Sequence, residues 1–594
     1  MKDSWRSRFS RLNLLLFGLI VVLAVCWGRL FCLQVLSHKK YEVQAQSQHR
    51  ITIPIPAQRG MIYDRNGHVL ASSITVRSVC LNPREIAAAD CVDETAFLLA
   101  KHLKLSHDDL VKSITENVAR GSYFMWVKRR VSQEEEDAMS ALKLRGVYWR
   151  DEQQRIYPNG KMLAPVIGFT GIDQHGLAGT ELSFDATLAG ADGSRQEARD
   201  GNSQPIFTPE SVYNPAANGN NVVLTIDLNI QDFLETAVDR CQQQYAPKGV
   251  IGVVLDPHTG EVLALAERPT FDPNDYDAYP SSTWKVRAVT DPFEPGSMFK
   301  PFVFSGALDE NAVRLDDMFN CSTFRIGKRT LHDAHMNGSL TARYIVVKSS
   351  NIGMAQIGLR LGIPKTFAYV TSFGFGQKTG IELSSESPGR VQPLRKWSGY
   401  TITSVPMGHE ISVTAMQVAA GFSAFANNGV VVKPHILRGV IAPNGAVLQR
   451  TMLPDVRGRI ITPGTADVML TDVLHKVVKE GTGRLADLED YEIAGKTGTA
   501  QKLVDGAYSH NKYVSSFVCT GPIEDPRAIV LIVVDEPTRG ASFFGGTAAA
   551  PYASEVLKAT LDYMYIDGRR RAKPAEYASV EHVPATGEES DYAP

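Results

Sequence analysis

A serine followed three residues later by a lysine puts a hydroxyl and an amine one turn apart on the same helix face. The amine can then take the hydroxyl proton, provided its own proton affinity is depressed. The pattern by itself is common, and in this chain it begins at Ser37, Ser140, Ser282, Ser297 and Ser509. Context selects among them. Only Ser297-Met298-Phe299-Lys300 follows a Pro-Gly pair, in FEPGSMFKPF, which sets the serine at a helix start where the dipole favours developing negative charge. The other four read as surface coincidences.

Two further short stretches bear groups that could complete such a site. Ser349-Ser350-Asn351 lies at a break between the helical patterns TARYIVVK and IGMAQIGLRL; alone it is a turn or cap, but a break of this kind can aim side chains into a cleft. Lys496-Thr497-Gly498-Thr499 sits inside a strand pattern. There Lys496 and the threonine hydroxyls could hold a carboxylate, and Gly498 would let a substrate backbone lie close to the strand. A second Lys-Thr-Gly, at Lys378, Thr379 and Gly380, lies in the glycine-punctuated FGFGQKTGIEL without a following threonine and reads as a structural loop. His332 and His335 have metal-like spacing but no convincing third ligand, and His409 is a lone loop histidine; all three are assigned to structure, and neither a metal nor a cofactor is expected.

The elements that must position these groups change character along the chain. The cluster NPAANGNN near residue 215 marks a boundary. Beyond it VVLTID reads as a strand, NIQDFLETAVDRCQQQY as a helix, and GVIGVVLD with EVLALAE as a buried hairpin. YEIAGKTGTA, YVSSFVCT and AIVLIVVD supply three more strands and YASEVLKATLDYM a closing helix. The expectation is an α+β fold, with a mostly antiparallel sheet covered by helices.

At the other end, residues 12–28 carry no charge and are apolar all round. Extended to Leu36 with Arg29 snorkelling, they suffice for one transmembrane helix. A cleaved signal peptide is the alternative; the length of the apolar run and the lack of an A-x-A site speak against it. Lys2, Arg6, Arg8 and Arg11 before the span slightly favour a cytoplasmic N-terminus.

At 594 residues the chain should hold two or three domains, and a net charge of -2 gives no ground for a nucleic-acid partner. Outside the span lie five cysteines, Cys80, Cys91, Cys241, Cys321 and Cys519. An odd number cannot all pair. A Cys80–Cys91 bridge is open on the outer side of a membrane, while buried, unpaired thiols are the main expectation.

Ser-x-x-Lys, Ser-x-Asn and Lys-Thr-Gly in that order, 52 and 147 residues apart, form the motif set of penicillin-interacting serine enzymes. The chain resembles the class B penicillin-binding proteins over almost its whole length. Arg59-Gly60-Met61-Ile62-Tyr63-Asp64-Arg65-Asn66-Gly67 and Gly176-Leu177-Ala178-Gly179-Thr180-Glu181 resemble that family's pedestal motifs. Phe293-Glu294-Pro295-Gly296 and the FGFGQKTGIEL loop are most similar to the division-specific branch. The resemblance implies a cytoplasmic tip and anchor over 1–36, an elongated α+β pedestal over 37–215, and a transpeptidase domain with a five-stranded sheet over 216–566. A disordered tail would follow over 567–594.

It further implies that Ser297 attacks the penultimate D-Ala of a peptidoglycan stem peptide while Lys300 accepts its proton. Ser349 and Asn351 would relay the proton and hold the peptide amide, and Lys496, Thr497, Gly498 and Thr499 would bind the terminal carboxylate. Backbone N–H groups of Ser297 and Thr499 would form the oxyanion hole, and β-lactams would trap the serine. The implied setting is the cytoplasmic membrane of a bacterium, with the catalytic part outside and septal wall synthesis as the task. The implied partners are a polytopic SEDS-family, FtsW-like glycan polymerase and other division proteins of the membrane. The chain departs from the family at Met298 and Phe299, where smaller residues are common, and at Ala415, where proline is frequent; these put pocket shape in question. An elongation-specific transpeptidase, a D,D-carboxypeptidase or β-lactamase, and a non-catalytic division scaffold or β-lactam sensor are the alternatives.

Overall fold

The computed structural model describes residues 3–41, 50–199, 205–206, 212–451, 454–504, 507–540 and 542–566; the tail expected over 567–594 lies outside them. Helix Asp3–Phe31 continues through a π-helical turn, Cys32–Leu36. Together they present an unburied apolar span, Leu12–Leu36, of 25 residues. At 1.5 Å per residue this is about 37 Å, enough to cross a hydrocarbon core of about 30 Å with some tilt. It fits a single-pass membrane anchor.

The chain forms two compact units. The first joins residues 1–58 to 190–218 and contains the apolar helix and a four-stranded sheet. In that sheet Arg50–Ile55 pairs antiparallel with Gly193–Arg199, which also pairs with Pro205–Ile206 and Val212–Asn214.

The second unit, residues 59–189 and 219 onward, is built on two sheets. A five-stranded sheet has the order Val262–Arg268, Gly249–Leu255, Ala528–Asp535, Ala507–Gly521, Ala494–Val504, with every pairing antiparallel. Gly249–Leu255, Val262–Arg268 and Ala528–Asp535 read as near-continuous apolar runs because both faces are covered, and alternate residues go to different cores; Ala494–Val504 and Ala507–Gly521 carry polar residues as well. Val250, Val254, Val530, Ile532 and Val534 pack with Leu234, Val238 and Cys241 of helix Leu228–Tyr245 and with Ala553 and Leu557 of helix Ala550–Ile566. Ile251, Val253, Leu255, Leu531 and Val533 join the larger core, which holds helix Lys300–Asp309 and helix Ala415–Ala426. Met298 and Phe299 turn into that core, where the Phe299 ring lies 5.5 Å from Phe302 and 4.8 Å from Phe375.

The other sheet has seven strands and joins distant parts of the chain. Ile62–Tyr63 pairs antiparallel with Val69–Leu81 and parallel with Asn221–Leu224, which pairs in turn with Leu437–Ile441. Helices Val92–Leu103 and His107–Ala119 pack on the far end of Val69–Leu81 through Leu99, Leu103, Leu110 and Ile114. The two stretches likened to pedestal motifs meet around Glu181, which is fully buried. Its carboxylate accepts from Arg59 Nε at 2.7 Å and from Arg155 Nε at 2.6 Å, and Arg59 Nη1 also reaches Asp185 at 2.6 Å. All cysteines are free, so the Cys80–Cys91 bridge is not formed; burial pushes the Cys80 thiol up to about 11 and leaves it inert.

Candidate active site

Ser297 occupies the 3-10 turn Gly296–Phe299, and Lys300 opens the helix that follows with Pro301 in its first turn. A proline there costs no hydrogen bond, because the first N–H groups of a helix have no partner within it. Gly296 has φ +53°, and a Cβ on it would come within 2.8 Å of the Thr499 carbonyl oxygen and 3.1 Å of Ala500 Cβ. The turn that carries the serine therefore lies against strand Ala494–Val504. From the opposite side, a Cβ on Gly498 would meet Ser516 Oγ, the Pro295 carbonyl oxygen at 2.9 Å and Met298 Cβ at 3.0 Å. The reading of Gly498 as room for a substrate backbone needs correcting in emphasis: what the missing side chain admits here is the Ser297 turn.

The Ser349-Ser350-Asn351 corner joins helix Ala342–Val347 to helix Asn351–Leu361, with Ser350 as N-cap accepting from Gly353 N at 3.0 Å. Ser349 has φ +60°, a left-handed conformation that a side chain adopts at some cost and that functional sites often hold. The kink turns its hydroxyl toward two amines. Lys300 Nζ donates to Ser349 Oγ at 3.3 Å, to the Ser349 carbonyl at 2.6 Å and to Asn351 Oδ1 at 2.8 Å. Lys496 Nζ reaches the same Oγ at 3.1 Å and its neighbour's carbonyl, Thr497 O, at 3.0 Å.

Both lysines are fully buried. Desolvation disfavours a charged amine and brings Lys300 down from 10.5 to about 7, against an upward pull from Asp333. Burial first, and the neighbouring Lys300 second, hold Lys496 well below the ordinary lysine range. Two amines meet at one hydroxyl, and the Ser297 turn packs on the strand that carries one of them; an amine released from its proton by burial can deprotonate an alcohol at neutral pH.

The remaining residues singled out from sequence fall into place around this centre. Thr497 Oγ1 lies 2.6 Å from Thr482 Oγ1, and Thr499 Oγ1 accepts from Gly545 N at 3.0 Å. Thr379 and Gly380 of the second Lys-Thr-Gly donate their N–H groups to Glu386 at 2.6 and 3.1 Å, as a structural loop does. His409 Nδ1 lies 3.1 Å from Glu294 and its ring 5.5 Å from Tyr508. Beside the nucleophile turn and the end of the Lys496 strand opens a cavity of about 910 Å3, bordered by Phe293, Glu294, Arg390, Glu410, Ala500 and Gln501.

Sequence reading passed over Thr482, Gly545 and, above all, Asp333. The stretch draws notice in sequence only for the spacing of His332 and His335. In the fold the Asp333 carboxylate takes N–H groups from Asn351 and Ile352, and the His332 carbonyl takes the Asn351 amide. No local pattern marks an aspartate that acts 18 residues ahead of its partner.

The model of the penicillin-binding protein transpeptidase domain matches residues 250–558, and that of the penicillin-binding protein dimerisation domain matches residues 54–224. The chain is 34% identical over 576 residues to stage V sporulation protein D of Bacillus subtilis, covering 95% of this chain and 87% of that protein. It is 30% identical over 561 residues to the peptidoglycan D,D-transpeptidase FtsI of Escherichia coli, covering 94% and 92%. Among solved structures, penicillin-binding protein 3 of Mycobacterium tuberculosis complexed with aztreonam superposes with a TM-score of 0.67 at 28% identity, over 88% of this chain and 99% of that one.

Proposed function

Since the chain belongs to the class B penicillin-binding proteins, which are peptidoglycan D,D-transpeptidases, we propose that it cross-links stem peptides through an acyl-enzyme on Ser297. Ser297 Oγ attacks the carbonyl of the penultimate D-Ala as Lys300 takes the hydroxyl proton. The peptide C–N bond breaks, and the proton passes by way of the Ser349 hydroxyl to the departing D-Ala amine. An amine from a neighbouring stem then attacks the ester carbonyl, forms the new amide and returns a proton to Ser297.

Asn351 holds the donor's amide while Lys496, Thr497 and Thr499 bind its terminal carboxylate, with Gly498 keeping the strand close to the nucleophile. N–H groups of Ser297 and Thr499 stabilise the oxyanion, a device worth about 3 kcal/mol of barrier. A β-lactam presents the same acyl carbon in a ring, so its leaving group stays attached and the ester persists.

One observation carries the reading: Lys300 and Lys496, both buried, reach the same Ser349 hydroxyl at 3.3 and 3.1 Å. A fluorescent penicillin should label the protein once per chain, and Ser297→Ala should abolish labelling. Undiminished labelling of that variant would overturn the assignment.

In this reading the apolar span Leu12–Leu36 anchors the chain in the bacterial cytoplasmic membrane with the catalytic part on the outer side, the partner is an FtsW-like glycan polymerase, and the work is septal. FtsI among the relatives supports this, and the sporulation name of another makes wall synthesis during sporulation the second reading. Depletion should give filaments; swollen spheres would point to elongation instead.

A further inference from the structure

Among the described residues, Asp333 is the acidic side chain whose field reaches buried Lys300, and every lone-pair direction of its carboxylate is used. Oδ1 accepts from Asn351 N at 2.6 Å and Ile352 N at 2.9 Å, and Oδ2 accepts from Ser350 Oγ at 2.6 Å and Asn337 Nδ2 at 2.8 Å. Two of these donors are first-turn N–H groups of helix Asn351–Leu361, which have no partner within the helix. A charged acceptor there binds about twice as strongly as a neutral one. The residue before it finishes the clamp: the His332 carbonyl accepts from Asn351 Nδ2 at 3.1 Å. With its NH2 end so held, the Asn351 amide must turn Oδ1 toward Lys300 Nζ, 2.8 Å away.

The charge matters as much as the bonds. Among the described residues, Lys300 is faced by Asp333 from the loop between strands Arg329–Leu331 and Ser339–Thr341, and by Lys496 from strand Ala494–Val504. Cys321 faces Asp333 and Ser350, its thiol raised chiefly by burial. His332 and His335 flank Asp333 in sequence, and the His335 ring is directed at Phe544, 6.4 Å away. Two amines are thus buried about one hydroxyl, that of Ser349, with the Asp333 carboxylate held behind the corner that carries it.

We propose that Asp333 is a positioning residue of this transpeptidase: it locks the Ser350-Asn351 corner in place and supplies the negative charge that sets how readily Lys300 holds a proton. The proposal rests on Lys300 acting as the base for Ser297. Removing the carboxylate's charge removes the one charged group, among the described residues, that favours protonated Lys300, so the amine should lose its proton at lower pH.

The test is the second-order rate constant of labelling by a fluorescent penicillin, measured on the full chain in detergent from pH 5 to 9. For Asp333→Asn the midpoint of the profile should move down by half a unit or more on the order of, with a lower plateau because the corner loosens. Asp333→Glu keeps the charge and lengthens the arm by one methylene, so its midpoint should stay while its plateau falls. A merely structural aspartate would lower both plateaus and move neither midpoint. The proposal is overturned by a wild-type midpoint in Asp333→Asn or by a full plateau in Asp333→Glu; if Asp333→Asn fails to fold, Asp333→Ser, which is uncharged as well, is measured in its place, and a wild-type midpoint there overturns the proposal. Failure of the wild-type protein to label would instead strike at the underlying transpeptidase reading.

Discussion

In the proposed mechanism, acylation of Ser297 depends on the fraction of Lys300 that is unprotonated, and that fraction can be worked from burial. An exposed lysine titrating near 10.5 is about 3 parts in 10,000 free amine at pH 7. Burial brings Lys300 to about 7, so about half is free at that pH, a gain of about a thousandfold. The perturbation is pH itself, applied to the wild-type protein and to Lys300→Arg, whose guanidinium stays charged throughout. The assay is quenched-flow labelling with a fluorescent penicillin at limiting concentration. The rate constant should fall about tenfold per pH unit below pH 6 and level off above pH 8, with its midpoint near 7. Lys300→Arg should be slower by about a thousandfold or more across the range. A profile unchanged from pH 5 to 8, or an arginine variant within tenfold of wild type, would refute the assignment of Lys300 as the base.

The same depressed lysine has a stability consequence. Unfolded Lys300 keeps its proton to about 10.5 while the folded one releases it near 7, so folded-state stability rises with pH between these values and the penalty is constant below them. Lys300→Met lacks this titration, and its stability relative to wild type, from urea denaturation, should decline by about 2–3 kcal/mol between pH 6 and pH 9. Gly498→Ala would drive a Cβ into the Pro295 carbonyl and Met298; labelling should slow by more than about tenfold, with a stability loss of about 1–3 kcal/mol in the same denaturation assay. Glu181→Ala would strand Arg59 and Arg155, both almost fully buried, and should cost about 3–5 kcal/mol, read as a lowered melting temperature and faster proteolysis of the second unit.

Elements whose residues carry their own local instructions were legible in the chain itself. The apolar stretch ending at Leu36 coincides with the candidate membrane span Leu12–Leu36, because a helix that is apolar all round, with Arg29 as its sole charge, has no polar face to turn to water. The hairpin of GVIGVVLD and EVLALAE and the three later strands form the five-stranded sheet; GVIGVVLD, EVLALAE and AIVLIVVD were legible because a strand covered on both faces is apolar nearly throughout. The motifs at Ser297, Ser349 and Lys496 singled out stretches that the fold brings together about the Ser349 hydroxyl, since each short pattern is visible without the fold.

What no stretch of sequence could decide was the environment those groups would share. That Lys300 and Lys496 are both stripped of water and aimed at one hydroxyl depends on a sheet edge, a helix start and a left-handed corner meeting across 147 residues. Asp333 was invisible for the same reason: its partners are backbone N–H groups, which every residue has, and only folding reveals which ones are left without a partner. Residue types set which proton transfers are possible, and burial and distance, which exist only in the tertiary structure, set where their equilibria lie.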